Sequence, residues 1–179
     1  VARSAQGQFA YPTGKEGLEK LRYDPSILDR IPDEVASSYC GVGNPFFLGI
    51  IRQGGRVLDI GCGAGVDTII AALLTGAEGN AVGVDIVPEM LREAEKNAEK
   101  SGMSNVEFQN ASGENLPFSD DVFDTVISNG AINLIPNKEK TGAETFRVLK
   151  PGGWLMMADQ MASGPVPPDL KSRLANWFR

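Results

Sequence analysis

The stretch VLDIGCGAG, residues 57–65, decides how the chain folds. Its four largely apolar residues predict a short buried strand, and the glycines that follow, Gly61, Gly63 and Gly65, predict a tight turn into a helix starting at Val66. In open α/β sheets the first such turn commonly lies beside a ligand. Three interpretations remain open at this point: the turn holds a dinucleotide, a sulfonium nucleoside or no ligand.

Strand and helix patterns alternate through the rest of the chain. Strands are predicted over residues 56–60, 81–86, 105–111, 123–129 and 154–159, and helices over residues 66–74, 88–101 and 137–149. This alternation predicts a Rossmann-like α/β fold, in which helices cover both faces of a mostly parallel sheet. Residues 1–55 are punctuated by proline and glycine and contain short helical candidates at 25–30 and 33–38. We therefore expect one domain, with an N-terminal helical cap or lid over residues 1–55 and a ligand-binding core over residues 56–179.

The composition disfavours several classes of function. The chain has 17 lysines and arginines against 23 acidic residues and no basic run, so it lacks the charge pattern of a nucleic-acid-binding protein. No apolar stretch approaches the roughly 20 residues that span a bilayer, and the N-terminus has no signal-peptide core, so we expect a cytoplasmic protein. The absence of histidine excludes serine–histidine and cysteine–histidine catalysis. Two cysteines without framework spacing argue against a zinc site, and we expect no metal.

The glycine spacing and Asp59 favour a sulfonium nucleoside over a dinucleotide, whereas Asp85 suits the ribose that both ligands carry. The glycines follow the spacing G-x-G-x-G, whereas the dinucleotide fingerprint is G-x-G-x-x-G. Asp85 ends the second predicted strand, 20 positions after Gly65, and suits a carboxylate that accepts hydrogen bonds from ribose hydroxyls. Asp59 precedes the turn, where its charge would favour a cation and hinder a pyrophosphate. A nicotinamide-dependent oxidoreductase is therefore the weakest of the functional alternatives.

Four segments in this order and spacing resemble the class I S-adenosylmethionine-dependent methyltransferases: DIGCGAG, GVDIVPEML, ENLPFSDDVFD and RVLKPGGWL. They lie within residues 56–159 and together are highly specific. The resemblance implies S-adenosylmethionine as cofactor, S-adenosylhomocysteine as product, and the class I methyltransferase fold. It also implies direct in-line transfer of a methyl group to an acceptor atom, accelerated by alignment and exclusion of water.

The resemblance also assigns cofactor-binding roles to residues of this chain. The residues implied around the methionine and ribose parts are Asp59, Gly61, Cys62, Gly63, Gly65 and Asp85, and those implied around the adenine are Ile86, Met90, Ser112 and Gly113. Asn129 is also implied to contact the cofactor. Within these, Asp85 takes the ribose hydroxyls, whereas Ile86 and Met90 pack against the adenine. The family often has an acidic residue at the place of Ser112. Cys62, in a tight turn, is interpreted as a small packing residue rather than a nucleophile.

A narrower resemblance, to the arsenite methyltransferase group, covers nearly the whole chain. It rests on YDPSILDRIP, GVGNPF, SNGAINLIPNKEK and ADQMASGPVPP. Arsenite methylators usually read G-C-G-N-P and S-N-C in two of these segments, because trivalent arsenic is held by thiolates. This chain has Val42 and Gly130 at those two positions, and Cys40 lies two residues before the first of them. We therefore expect an arsenite methyltransferase-like enzyme that acts on a small molecule, with arsenite itself disfavoured.

The acceptor side is less well specified by the sequence. Candidate residues are Tyr39, Cys40, Asn44, Asn129, Gly130 and Asn133. The loop 128–134 is expected to form the floor of the pocket and residues 39–44 its lid, with Gly130 leaving room for a bulky acceptor. Asn44 and Asn133 have an equal alternative as caps of turns, and Cys40 as a half-buried residue at a helix end. No general base is assigned, although Tyr39 or a carboxylate would be the candidates.

The end of the sequence adds an expectation about the sheet edge. The class I fold usually finishes with two more strands, and residues 160–179 cannot supply such a pair, so we expect the C-terminal strands to be missing. A longer parent protein, a homodimer covering the edge of the fifth strand, or a non-catalytic S-adenosylmethionine-binding module would each account for this. Trp177 and Phe178 are candidates to cover part of that edge.

Overall fold

The computed structural model describes residues 11–161, and the tail containing Trp177 and Phe178 lies outside them. The strands are β1 (Arg56–Ile60), β2 (Asn80–Asp85), β3 (Val106–Asn110), β4 (Phe123–Asn129) and β5 (Leu149–Ala158). The helices are α1 (Gly14–Lys20), α2 (Pro25–Leu28), α3 (Asp33–Ala36), α4 (Val66–Thr75), α5 (Pro88–Lys100) and α6 (Lys138–Val148). Two 3-10 turns, Pro45–Leu48 and Ile132–Leu134, follow α3 and β4.

The five strands form one parallel sheet in the order β3-β2-β1-β4-β5. The predicted α/β fold with a parallel sheet is confirmed. Strand β1 lies in the centre, with Asp59 paired to Gly83 of β2 on one side and to Ile127 of β4 on the other. The chain therefore reverses its direction of travel across the sheet at β1. Crevices for ligands form at the carboxyl ends of strands where this reversal occurs.

The helices that follow β1 and β2 form for different reasons. Helix α4 is apolar around most of its circumference because it is covered by the sheet on one side and by the N-terminal segment on the other. Helix α5 is amphipathic: it begins with Pro88 at its first position and buries Met90, Leu91, Ala94 and Ala98. Both helices thus start directly after a strand and direct their N-terminal ends to the same edge of the sheet.

The N-terminal segment packs directly onto the core. Leu18, Val35 and Tyr39 belong to one buried apolar cluster with Val66 and Ile69 of α4. This cluster spans the boundary that the sequence suggested at residue 55. Among residues 11–161, no helix has the length and apolar character needed to cross a membrane.

Two element boundaries differ from the prediction. Strand β5 begins at Leu149, directly after α6, rather than at Trp154. Pro151, Gly152 and Gly153, which fall between the predicted helix and the predicted strand, lie inside β5 as an irregularity. Phe123 pairs with Leu149, but Thr125 already pairs with Trp154. Helix α1 was not predicted because two of its seven residues are glycines, which disfavour helix, and burial of Leu18 outweighs this.

Candidate functional site

The glycine turn after β1 requires glycine for conformational and steric reasons. Gly61, Gly63 and Gly65 have φ angles of 77°, 53° and 80°, in the left-handed region that side chains disfavour. A Cβ built on Gly61 would lie 2.2 Å from Cβ of Ala131, and one on Gly63 would lie 3.2 Å from Cε of Met90. The absence of side chains therefore lets the turn pack closely against the loop after β4 and against helix α5.

Asp85 is fixed at the carboxyl end of β2 by backbone donors from both neighbouring turns. The amide of Gly63 donates to Oδ2 at 2.9 Å, and the amide of Val87 donates to Oδ1 at 2.8 Å. Each carboxylate oxygen can accept a further hydrogen bond. Next to it, Ile86 is 67% exposed while Met90 is buried, so one apolar side chain projects into solvent and the other lies beneath the turn.

Two further carboxylates lie buried beside the turn. Asp59 accepts a hydrogen bond from the hydroxyl of Thr68 at 2.7 Å, and Asp67 accepts one from the hydroxyl of Tyr23 at 2.7 Å. Burial, with the neighbouring charge of Asp67 as the second cause, raises the pKa of Asp59 to about 8. Burial likewise raises the pKa of Asp67 to about 6. Sequence reasoning missed Asp67, although a charged residue at the start of the apolar run VDTIIAALL was the available signal.

Residues 39–44, which we call the strap, are held across the carboxyl ends of β1 and β4 by Asn129. Its Oδ1 accepts from the amides of Val42 and Gly43 at 2.9 and 3.1 Å. Its Nδ2 donates to Asp67 Oδ2 at 2.9 Å and to the Gly43 carbonyl at 2.8 Å. The hydroxyl of Tyr39 donates to that same carbonyl at 2.7 Å. Asn129, predicted on both the cofactor and acceptor sides, thus has its hydrogen-bonding capacity used by the protein itself.

The strap and the glycine turn enclose a cleft. Its lining residues are Ser38, Tyr39, Cys40, Gly41, Asp59, Gly61, Cys62, Gly63, Ala64, Val66, Asp67 and Asn129. Two of these residues are acidic and none is basic. The arrangement therefore suits a positively charged ligand and disfavours a pyrophosphate. The structure thus brings Asp59, the first two turn glycines and Asn129 together with Tyr39 and both cysteines.

Both thiols of the cleft are in surroundings that keep them protonated. Cys62 is buried, and its Sγ would lie 2.9 Å from a Cβ built on Gly83, so the absence of a side chain there makes room for it. Burial, followed by the charge of Asp59, raises the pKa of Cys62, and burial raises the pKa of Cys40. Neither thiol has the electropositive surroundings of a reactive cysteine.

Three acceptor-side candidates lie outside the lining of this cleft. Asn44 caps the following 3-10 turn by accepting from the Phe46 amide at 3.0 Å. The backbone amide of Asn133 donates to Asp159 at 2.9 Å. A Cβ built on Gly130 would lie 3.2 Å from Cγ1 of Val42, so Val42 occupies the space that the sequence suggested for a bulky acceptor.

The predicted adenine-side residues after β3 form a tight local turn. Ser112 Oγ accepts from the amide of Glu114 at 3.2 Å, and a Cβ on Gly113 would lie 3.0 Å from Cγ2 of Ile60. Gly113 therefore lets this loop pass close to the end of β1. Neither residue is among those that line the cleft.

Known proteins that are similar in sequence to this chain are methyltransferases. The methyltransferase domain family matches residues 51–178. Arsenite methyltransferase of Halobacterium salinarum is 38% identical over 159 residues, which are 89% of this chain and 40% of that protein. The mouse arsenite methyltransferase is 35% identical over 166 residues, 87% of this chain and 43% of that protein. The chain thus spans about two fifths of the length of these curated relatives.

A solved structure extends the likeness to three dimensions. An arsenic(III) S-adenosylmethionine methyltransferase from Chlamydomonas reinhardtii is similar with a TM-score of 0.75 and 33% identity, covering 87% of this chain and 55% of that one. An S-adenosylmethionine-dependent methyltransferase from Aquifex aeolicus matches with a TM-score of 0.61 and 25% identity, over 86% of this chain and 78% of that one. The parallel sheet, the glycine turn and these matches together show that the chain belongs to the class I S-adenosylmethionine-dependent methyltransferase family.

Proposed function

We propose that this chain binds S-adenosylmethionine in the cleft between the glycine turn and the strap, and that it directs the methyl group to a small-molecule acceptor. The observation that carries the proposal is the pairing of a left-handed glycine turn with a cleft lined by two acids and no base. These residues fit a ligand that carries positive charge at its sulfonium and amino groups. When bound, the cofactor supplies an activated methyl group.

Several residues of the chain would bind and orient the cofactor. Asp85, already oriented by the amides of Gly63 and Val87, would accept hydrogen bonds from the ribose hydroxyls. The exposed side chain of Ile86 and the buried one of Met90 would contact the adenine from the start of α5. Ser112 and Gly113 would border the adenine edge. The strap would exclude water from the reacting end, where alignment of the two partners supplies much of the acceleration.

The acceptor side supports a substrate other than arsenite. Val42 and Gly130 stand where arsenite methylators usually have cysteines, and the structure brings these two positions into contact. Their contact is apolar, so this chain offers no thiolate at the place where the relatives' pattern puts a pair of them. Within residues 11–161 both cysteines, Cys40 and Cys62, instead line the cofactor cleft.

The binding half of the proposal is tested by calorimetric titration with S-adenosylmethionine, S-adenosylhomocysteine and NAD. We expect the two adenosyl ligands to bind and NAD not to bind. Asp85→Ala should weaken both adenosyl ligands by at least about tenfold, because two or more hydrogen bonds to the ribose are lost. Glu95→Ala removes the same charge from the exposed face of α5 and should leave binding unchanged.

The transfer half is tested by incubating the chain with methyl-labelled cofactor and a panel of acceptors that includes arsenite with thiol. Transfer to a small molecule other than arsenite is the expected result. Binding without transfer to any acceptor would instead assign the chain as a non-catalytic S-adenosylmethionine-binding module. Absence of adenosyl binding by folded protein would overturn the proposal as a whole.

A further inference from the structure

Asp59 and Asp67 lack any positively charged partner among the described residues. Asp59 is 2% exposed and Asp67 is 7% exposed. The hydrogen-bond donors to them are the hydroxyls of Thr68 and Tyr23 and the amide of Asn129, which are all neutral. The ion pairs formed by residues 11–161 involve other acids. Buried carboxylates normally have a cationic partner, so this pair lacks the partner that its ionised form requires.

The groups that surround the pair do not supply that charge. Strand β2 presents Asp85, the strap and the cap present Tyr39, Tyr23 and Cys40, and the turn presents Cys62. Strand β4 contributes Asn129, and the cleft is lined by no lysine or arginine. Each of these titratable groups is neutral or negative. Two adjacent buried acids in such surroundings resist double ionisation until a cation is added.

We propose that Asp67, together with Asp59, binds the positively charged methionine half of the cofactor, and that this binding releases a proton from the acid pair. The inference rests on the proposed function and assigns a role to Asp67. In the step, a carboxyl O–H bond breaks and the proton passes to the buffer. The carboxylate left behind is stabilised by the positive charge of the ligand.

The position of Asp67 supports this role. It lies in the first turn of α4, two residues after Gly65, so the turn that receives the ligand also fixes its backbone. Tyr23 and Asn129 hold one carboxylate oxygen each, which leaves further lone pairs for a ligand. The raised pKa values of about 8 for Asp59 and about 6 for Asp67 place the proton release near neutral pH.

Proton release can be measured on the unaltered chain. The chain is titrated calorimetrically with S-adenosylmethionine at about pH 7, once in phosphate and once in Tris. Because the two buffers have different ionisation enthalpies, the difference between the two observed enthalpies gives the proton count, which is the number of protons released on binding. We expect a net release with S-adenosylmethionine and none with 5′-methylthioadenosine, which keeps the adenine, ribose and sulfur but lacks the charged groups. Binding of S-adenosylmethionine without proton release, or equal release with both probes, would overturn the inference while leaving the proposed function intact.

The variant Asp67→Asn tests the residue itself. It should lower the affinity for S-adenosylmethionine by at least about tenfold and change the affinity for 5′-methylthioadenosine by less than about twofold. Glu95→Gln removes an exposed acid and should change neither affinity. Equal weakening of both probes would show that Asp67 acts only by holding the strap and would overturn the inference. Should Asp67→Asn fail to fold, the proton count on the unaltered chain decides. Failure of both probes to bind the unaltered chain would overturn the proposed function as well.

Discussion

At the scale of single residues, the glycine turn was predictable and the buried acids only in part. The spacing of Gly61, Gly63 and Gly65 is a local signal, because a left-handed backbone disfavours any other residue there. Asp59 and Asp85 were predicted from their positions at strand ends. Asp67 was missed because its partners Tyr23 and Asn129 are 44 and 62 positions away in sequence. Such a contact depends on the tertiary fold and leaves little trace in the local pattern.

Replacing Gly61 with alanine should destabilise the chain strongly. The new Cβ would lie 2.2 Å from Cβ of Ala131, and the alanine would have to keep the left-handed φ of 77°. We therefore expect a loss of roughly 2–4 kcal/mol of unfolding free energy. Gly142→Ala is the matched control: it lies on the exposed face of α6, its Cβ would meet nothing within 4 Å, and it should stabilise by about 0.5–1 kcal/mol. Urea denaturation measures both, and equal effects of the two substitutions would contradict the steric argument.

At the scale of elements, the positions of β1, β4 and α5 followed from the sequence, whereas the contacts that orient α6 did not. Arg147 donates to the carbonyls of Leu116 and Phe118 and to both carboxylate oxygens of Glu144. Glu144 in turn accepts from the Leu116 amide at 2.8 Å. This network connects α6 to the loop before β4.

Glu144→Gln should alter the acid side of the stability profile. The hydrogen bonds from Arg147 lower the pKa of Glu144 to about 2. A carboxyl with a lowered folded pKa stabilises the fold above its unfolded pKa, near 4.3, and loses this effect as pH falls through the folded value. The unaltered chain should therefore be more stable than the variant at about pH 6, with the difference vanishing near pH 2. Glu139→Gln on the same helix serves as control, and a pH-independent difference in urea denaturation would argue against this account.

At the scale of the whole molecule, the sheet was predictable while the packing of its N-terminal cover was not. Alternating strand and helix patterns are repeated signals that reinforce each other, so the parallel α/β fold followed from them. Residues 11–50 contain only short helices, and their shared cluster with α4 arises from non-local burial of Leu18, Val35 and Tyr39. The expectation that residues 39–44 form a lid followed the family resemblance, whereas the packing that places this segment could not be derived from local pattern.

Asp59→Asn should change how the stability of the whole chain depends on pH. Burial raises the folded pKa of Asp59 to about 8, above its unfolded value near 3.9. The folded state thus favours the protonated form of Asp59. The stability that this preference gives the fold is fully present below the unfolded pKa, and it is lost as pH rises through the folded pKa. Relative to the variant, the unaltered chain should lose on the order of 5 kcal/mol between about pH 4 and pH 8, because each unit of pKa difference corresponds to about 1.4 kcal/mol.

Urea denaturation across this pH range, with Glu95→Gln as the exposed control, provides the measurement for Asp59→Asn. The amide retains an oxygen that can accept from Thr68, so the comparison isolates the ionisation. Parallel pH profiles for the variant and the unaltered chain would contradict a raised pKa at Asp59.

The central position of β1 has a consequence for the order in which the chain folds. Strands β1, β2 and β3 are consecutive in the sequence, whereas Val57 of β1 pairs with Thr125 of β4, 68 positions later. Closing that large loop is entropically slower than forming the neighbouring pairs. Asp59 lies on β1 and Asn129 lies on β4, and both line the cleft, so they come together only when these two strands pair. The cleft is therefore completed only when β4 docks, so an intermediate consisting of β1, β2 and β3 would carry the glycine turn without a working pocket.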